Sequence, residues 1–145
     1  MRRMEESLIA QSDLVITSAE KLYASKHALH PNTHMIPHGV DTDHFAKAGL
    51  GTTSLAPELQ GVVRPIIGFW GIVQEWIDLD LIRYVAVRHP EWSVVLVGKV
   101  DTDCSRLKEL RNVHLIGARP YDSLPRFAKG FTAAILPFKV NRLTE

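Results

Sequence analysis

Apolar residues along this chain fall into short runs, and the spacing between runs keeps switching from one period to another. Near-continuous apolar stretches occur at Asp13-Leu14-Val15-Ile16-Thr17, His34-Met35-Ile36, Pro65-Ile66-Ile67-Gly68-Phe69-Trp70-Gly71, Trp92-Ser93-Val94-Val95-Leu96-Val97-Gly98, Val113-His114-Leu115-Ile116-Gly117 and Thr132-Ala133-Ala134-Ile135-Leu136-Pro137. Runs of this length, bounded by turn residues, predict strands, and those of the later part read as strands covered on both faces. Between them the spacing turns helical. Met4, Leu8 and Ile9 make a short face ending near Gln11, and Leu22 and Leu29 bracket a helix with Ser18 as its cap, Glu20 in its first turn and Pro31-Asn32 as its stop. Leu79, Ile82, Val85 and Ala86 share one face of a helix over Trp76 to Arg88, ended by His89-Pro90. Ser105 to Leu110 predicts a short helix carrying Leu107 and Leu110. Asp122 or Ser123 caps a last one through Ala128, with Pro125 tolerated in the first turn. Alternating strand and helix predicts the α/β class, a doubly wound, Rossmann-like parallel sheet joined by right-handed crossovers.

The alternation is interrupted once. Across Met35-Ile36-Pro37-His38-Gly39-Val40-Asp41-Thr42-Asp43-His44-Phe45, Pro37 removes a backbone donor, and Gly39 permits a positive φ that lets the chain leave a sheet. Asp41 and Asp43 suit Asx-type turns, and Phe45 is a lone large apolar residue suited to anchor the segment in a pocket. Beyond it Gly49, Gly51, Thr52, Thr53, Ser54 and Pro57 supply loop chemistry over a long stretch. This predicts residues 1–40 as the C-terminal end of one α/β domain, 41–64 as an interdomain linker, and 65–145 as the first half of a Rossmann-like domain. On this reading a domain begins before Met1, and another helix is expected to follow the last strand.

Composition narrows the classes. With 145 residues, 46% hydrophobic and 23% charged, the chain is globular. A net charge of +1, with Lys and Arg scattered, gives no electrostatic footprint for nucleic acid. The single cysteine, Cys104, excludes an internal disulfide and reads as a plain loop thiol of a reducing compartment. No apolar run is long enough to span a bilayer, and Met1-Arg2-Arg3-Met4-Glu5-Glu6 lacks the apolar core of a signal peptide, so a cytoplasmic protein is expected. His27 and His30 are three apart, and His34, His38 and His44 straddle the junction. None of these spacings matches a metal-ligand set, so no metal site is expected.

The candidate chemistry sits where a parallel sheet binds ligands, beyond the carboxyl ends of its strands. Gly68-Phe69-Trp70-Gly71 joins the first strand of the later part to its helix, where glycines let backbone amides approach an anionic group. The Gly-x-Gly-x-x-Gly fingerprint is not met, and no acidic residue ends the second strand, so no nicotinamide cofactor is expected. Glu75 and Asp78 repel a diphosphate and suit the hydroxyls of a sugar instead. Gly98-Lys99 ends the second strand, Gly117-Ala118-Arg119-Pro120-Tyr121 follows the third, and Pro137-Phe138-Lys139 ends the fourth. Gly71, Gln74, Gly98, Lys99, Arg119 and Pro137 are therefore the candidate binding residues, with Lys99 and Arg119 as diphosphate or base contacts. No local signature of a nucleophilic triad is present.

These segments, in this order, resemble the bacterial GT-B glycosyltransferases of the group 1 type. Asp13 to Ser18 followed by Ile36-Pro37-His38-Gly39-Val40-Asp41-Thr42-Asp43-His44-Phe45 is similar to that family's exit from its N-terminal domain, with His38 where Asn is usual. Ile67 to Gly71, Glu75-Trp76-Ile77-Asp78-Leu79, Val97-Gly98, Asn112 to Tyr121, Leu124-Pro125 and Pro137-Phe138 resemble the first half of its nucleotide-sugar-binding domain. The pattern departs where Ile72, Val73 and Gln74 replace the usual Arg and Lys, and where Thr132 stands in place of Asp. The family's later Glu-rich donor motif would begin at or after Glu145.

The resemblance implies transfer, with retention, of a sugar from a nucleotide diphosphate sugar to a glycan or lipid-linked acceptor in polysaccharide or cell-wall glycan synthesis. It implies the nucleotide sugar as a substrate with no further cofactor, and allows peripheral membrane association of the full-length protein. The 145-residue chain alone is expected to be inactive. Two other readings stand beside it: a small non-catalytic α/β module binding a nucleotide or a protein, and a GT-B sugar-nucleotide epimerase.

Overall fold

The computed structural model describes residues 2–141. The chain divides into two units, Met1–Asp41 and Thr42–Glu145.

In the first unit, α1 (Arg2–Ala10) is followed by β1 (Val15–Thr17), α2 (Glu20–His27) and β2 (Thr33–Met35). The two strands pair in parallel, Ile16 opposite His34, with α2 as the crossover. Asn32 donates from its side-chain amide to the carbonyl of Asp13 at 2.6 Å, and the Thr33 hydroxyl to the carbonyl of His30 at 2.6 Å, which fixes the turn into β2. Two details differ from the sequence reading. The cap of α2 is Ala19, with no side-chain hydrogen bond, rather than Ser18. Gly39 is not among the residues of positive φ, so the turn it allows is made without left-handed backbone.

The second unit carries a four-stranded, all-parallel sheet in the order β5-β4-β3-β6, formed by β3 (Ile66–Trp70), β4 (Ser93–Val97), β5 (Val113–Gly117) and β6 (Ala133–Ala134). The chain walks outward from β3 to β5 and then returns to the far side of β3, so the strand order reverses between β3 and β6. Every residue of β4 is buried.

One face is covered by α4 (Leu79–Arg88) and α5 (Ser105–Lys108), whose Ile82, Ala86 and Leu107 pack with Phe69, Val94 and Leu96. At roughly 1.5–3 kcal/mol for each large aliphatic side chain removed from water, this layer is a main source of the unit's stability. Asp78 caps α4, accepting from the Leu81 amide at 2.8 Å. The cap explains why the helix starts at Leu79 instead of Trp76, since Glu75 to Ile77 form a turn tied to neighbouring strands. Asn112 closes the other end, its amide nitrogen donating to the carbonyls of Ala86, His89 and Trp92 at 3.0, 3.3 and 2.9 Å. Cys104 belongs to this core at 3% exposure. Burial, and after it the Asp103 carboxylate, push its thiol pKa up, so a plain loop thiol becomes a buried and unreactive one.

The opposite face is covered by α6 (Leu124–Ala128) and by the stretch expected to be a linker. From Thr42 that stretch is folded: α3 (Thr42–Ala46) leads to helical turns at Lys47–Gly49 and Pro57–Leu59. Ala56 and Leu59 are buried with Ile66, Val95, Val97 and Phe127. Arg126 and Lys129 hold the strap by its carbonyls, Lys129 Nζ reaching that of Leu50 at 2.8 Å and Arg126 Nη2 that of Leu55 at 3.3 Å. Loop-forming composition hid this, because the strap buries Ala56 and Leu59 and packs the half-buried Leu55 and Val62 beside them without helical or strand periodicity. Phe45 is anchored as expected, stacked on Trp70 at 5.6 Å and edge-on to Tyr121 at 5.9 Å. Ser123, at the head of α6, donates its hydroxyl to the Pro120 carbonyl instead of capping the helix.

The last strand is shorter than the run Thr132 to Pro137. Ladder bonds continue on either side of it, Thr132 N to Ile66 O at 2.8 Å and Ile135 N to Gly68 O at 2.9 Å, before the chain turns away. Thr132 also accepts from the Ile66 amide through its hydroxyl at 3.0 Å, so the residue that departs from the resembled pattern closes the sheet edge. Among the described residues, no helix is long and apolar enough to cross a membrane.

Candidate functional site

The candidate residues all lie at the carboxyl edge of the second unit's sheet, and the structure sorts them into separate places. Gly71, Gly98, Lys99 and Arg119 line one open depression of about 320 Å³, together with Trp70, Ile72, Val97, Ala118 and Leu124. Gln74 lines a different groove with Glu75, Asp103, Arg106 and Lys139. Pro137 lines a third, apolar one beside α4, with Leu81, Val85 and Trp92.

The two glycines supply room rather than donors. The Gly71 amide donates to the Val97 carbonyl at 2.9 Å and the Gly98 amide to the Gly117 carbonyl at 2.9 Å. Both amides are thus spent on the sheet. Gly98 has φ +149, and a Cβ there would lie 1.9 Å from the Gly71 carbonyl oxygen, so only glycine lets the two backbones pass this closely. The register between β4 and β5 slips at Leu96/Val97, placing Gly117 opposite Val97. The loop after β3 is further stitched to both neighbours, Val73 N to Lys99 O at 2.8 Å and Asp78 N to Pro137 O at 2.7 Å.

Both cations of the depression are paired. Lys99 Nζ lies 3.1 Å from Asp101 Oδ1, a pair with both side chains well exposed, and Gln74 Nε2 donates to the other oxygen of Asp101 at 3.1 Å. Asp101 thus links Gln74 to Lys99. Arg119 donates from Nε to Glu58 Oε1 at 2.7 Å and from Nη1 to the Ala118 carbonyl at 2.8 Å. Both side chains of this pair are 31% exposed, half as much as that of Lys99 at 63%. Hydrogen bonding from its own backbone amide, and then from the Arg119 guanidinium, holds the Glu58 carboxyl below the usual carboxylate range. The depression thus has an apolar floor and charge-compensated walls.

Glu58, Asp101 and Trp70 did not stand out in the sequence as site residues. Glu58 sits in the strap, whose folding was not expected, and Asp101 has the ordinary look of a loop carboxylate. Of the two acidic residues expected to meet sugar hydroxyls, Asp78 is occupied as a helix cap and Glu75 remains exposed. His44 is buried, with Nε2 3.0 Å from the Tyr121 carbonyl oxygen and its ring stacked on Tyr121 at 4.2 Å. Among the described residues, no group of three or more His, Cys, Asp or Glu is placed to hold a metal ion.

A parallel sheet with helices on both faces, a reversal of strand order and a depression at its carboxyl edge together define a Rossmann-like α/β unit. No protein-family model matches the chain. Over 96% of its length it is 23% identical to TuaH of Bacillus subtilis, a protein assigned to teichuronic acid biosynthesis as a glycosyltransferase, and it spans 36% of that protein. Its fold matches part of that of Anabaena HepE, solved with UDP and glucose: TM-score 0.65 at 16% identity, over 91% of this chain and 40% of that one. The HepE structure with UDP-glucose aligns with TM-score 0.59 at 14% identity, over 85% of this chain and 37% of that one. The chain therefore spans well under half the length of the proteins it matches.

Proposed function

We propose that this chain is part of a GT-B glycosyltransferase of the retaining, group 1 type, acting in polysaccharide or cell-wall glycan synthesis. Residues 1–40 are then the end of an N-terminal domain, the junction that follows is its hinge, and 65–145 begin the nucleotide-sugar-binding domain. The observation that carries the reading is the meeting of Gly71, Gly98, Lys99 and Arg119 in one depression at the carboxyl edge of the sheet. The ligands with which HepE was solved, UDP, glucose and UDP-glucose, agree with that use.

In this proposal the depression takes the nucleotide part of the donor. As the glycosyl bond breaks, negative charge grows on the leaving diphosphate, and cations fixed in advance lower the barrier by meeting it where it develops. Lys99 is the more exposed cation of the depression and can exchange Asp101 for a phosphate at little cost, because an exposed pair is worth only about 0–1 kcal/mol. The donor is a nucleotide diphosphate sugar and the acceptor a glycan or lipid-linked hydroxyl.

Saturation-transfer NMR on the 145-residue chain tests the reading. UDP and UDP-glucose are expected to give transfer signals at millimolar concentration, and NAD none. Silence from both uridine nucleotides, or an equal response to NAD, would remove the glycosyltransferase reading.

A further inference from the structure

Arg119 has few of the features of a diphosphate clamp. A clamp needs a guanidinium whose charge and donors are directed at the ligand, whereas here Nε and Nη1 are committed to Glu58 and to the Ala118 carbonyl, and the charge is matched by a carboxylate 2.7 Å away. A planar guanidinium fixed along one edge in this way is held as a plate, and such plates stack on flat π-systems. The plate stands in the wall of the depression. Trp70, Ile72, Val97 and Leu124 are its apolar neighbours there, while Gly117 adds no side chain beside it, the nearest atom to a Cβ at that position being Arg119 Nη1 at 3.9 Å.

Glu58 arrives from elsewhere in the chain, on the helical turn Pro57–Leu59 that precedes β3. Leu59 is buried at 2% exposure, so the turn carrying the carboxylate is pinned into the core. A fixed carboxylate at the guanidinium Nε leaves the arginine little rotamer freedom.

We infer that Glu58 is a positioning residue, setting Arg119 as a stacking plate for the uncharged nucleobase of the donor and leaving phosphate recognition to other groups. The inference rests on the nucleotide reading above and adds to it a division of labour: Arg119 reads the nucleoside, and Lys99 alone of the two cations meets the phosphate. The strap that follows the hinge thereby becomes a structural part of the site.

Calorimetric titration of the 145-residue chain with uridine and with UDP separates the cases, with thermal melts verifying that each variant is folded. Arg119→Ala is expected to weaken uridine and UDP by the same factor, about five-fold, as for the loss of one exposed cation–π contact. Glu58→Ala is expected to do likewise, Glu58→Gln to recover most of the affinity because its amide oxygen still accepts from Nε, and Glu58→Ala/Arg119→Ala to be no weaker than either single variant. The inference is overturned if Arg119→Ala weakens UDP while sparing uridine, if Glu58→Ala tightens UDP by releasing a free cation, or if Glu58→Ala lowers the melting temperature alone. Failure of the wild-type chain to bind either ligand at millimolar concentration would instead overturn the nucleotide site itself, and this role with it.

Discussion

β4 and β6 read alike as sequence and end up as opposites. Val94-Val95-Leu96-Val97 and Ala133-Ala134-Ile135-Leu136 are both uninterrupted apolar runs ahead of a turn. The first pairs with β3 and β5, lies under helices on both faces and is wholly buried. The second pairs, among the described residues, with β3 alone, and its two ladder residues are exposed, as is Leu136 at 75%. Apolarity therefore sets the class of an element, and its neighbours set its burial. The contrast extends to what lies beyond each strand. Past β4 the chain needs glycine, passes within backbone contact of Gly71 and opens onto a depression with paired charges. Past β6 it meets an apolar groove beside α4.

The difference can be broken most forcefully at Gly98. Gly98→Ala drives a methyl group into the Gly71 carbonyl in a backbone region that side chains avoid, and is expected to destabilise the second unit by about 3–5 kcal/mol. Ala134→Val, the added bulk placed on exposed β6, is expected to change stability by no more than about 0.5 kcal/mol. Urea unfolding of the two variants checks the pair, and equal effects would erase the distinction between the strands.

A smaller effect comes from the neighbour of β4. His114 lies opposite Val95, and partial burial lowers its pKa below the usual imidazole value. The folded state thus favours the neutral ring. Above the ordinary value of about 6.5 both states are neutral and nothing changes; as the pH falls below it, the unfolded chain takes up the proton first and stability drops. The urea midpoint is expected to fall between pH 7.5 and pH 5.5 in the wild type, and the part of that fall due to His114 to vanish in His114→Gln.

How much of this was legible beforehand depends on the kind of signal. The strands of the second unit and its helix α4 follow from apolar runs and from the Leu79, Ile82, Ala86 spacing. The strap was not legible: Leu55, Ala56, Leu59 and Val62 pack on the sheet through helical turns too short to impose a period. Missing the strap meant missing Glu58, and so the pairing that fixes Arg119. Strand ends located four of the six candidate residues in a common depression. Gln74 and Pro137 were adjacent in the chain's logic but not in space, because the turn between β3 and α4 is stitched to both neighbouring strands and points them elsewhere. The Gly68-Phe69-Trp70-Gly71 turn was read as letting backbone amides approach an anion, and the Gly71 amide itself is bonded to the Val97 carbonyl.

The proposed site seats a nucleotide beyond β4 and β5 and not beside β6. Amide chemical-shift mapping of the 145-residue chain with UDP tests it most directly. The largest changes are expected at Gly98, Lys99, Ala118 and Arg119, with Leu81, Val85 and Leu136 unmoved. Changes centred on those last three residues, or none anywhere at millimolar UDP, would contradict it.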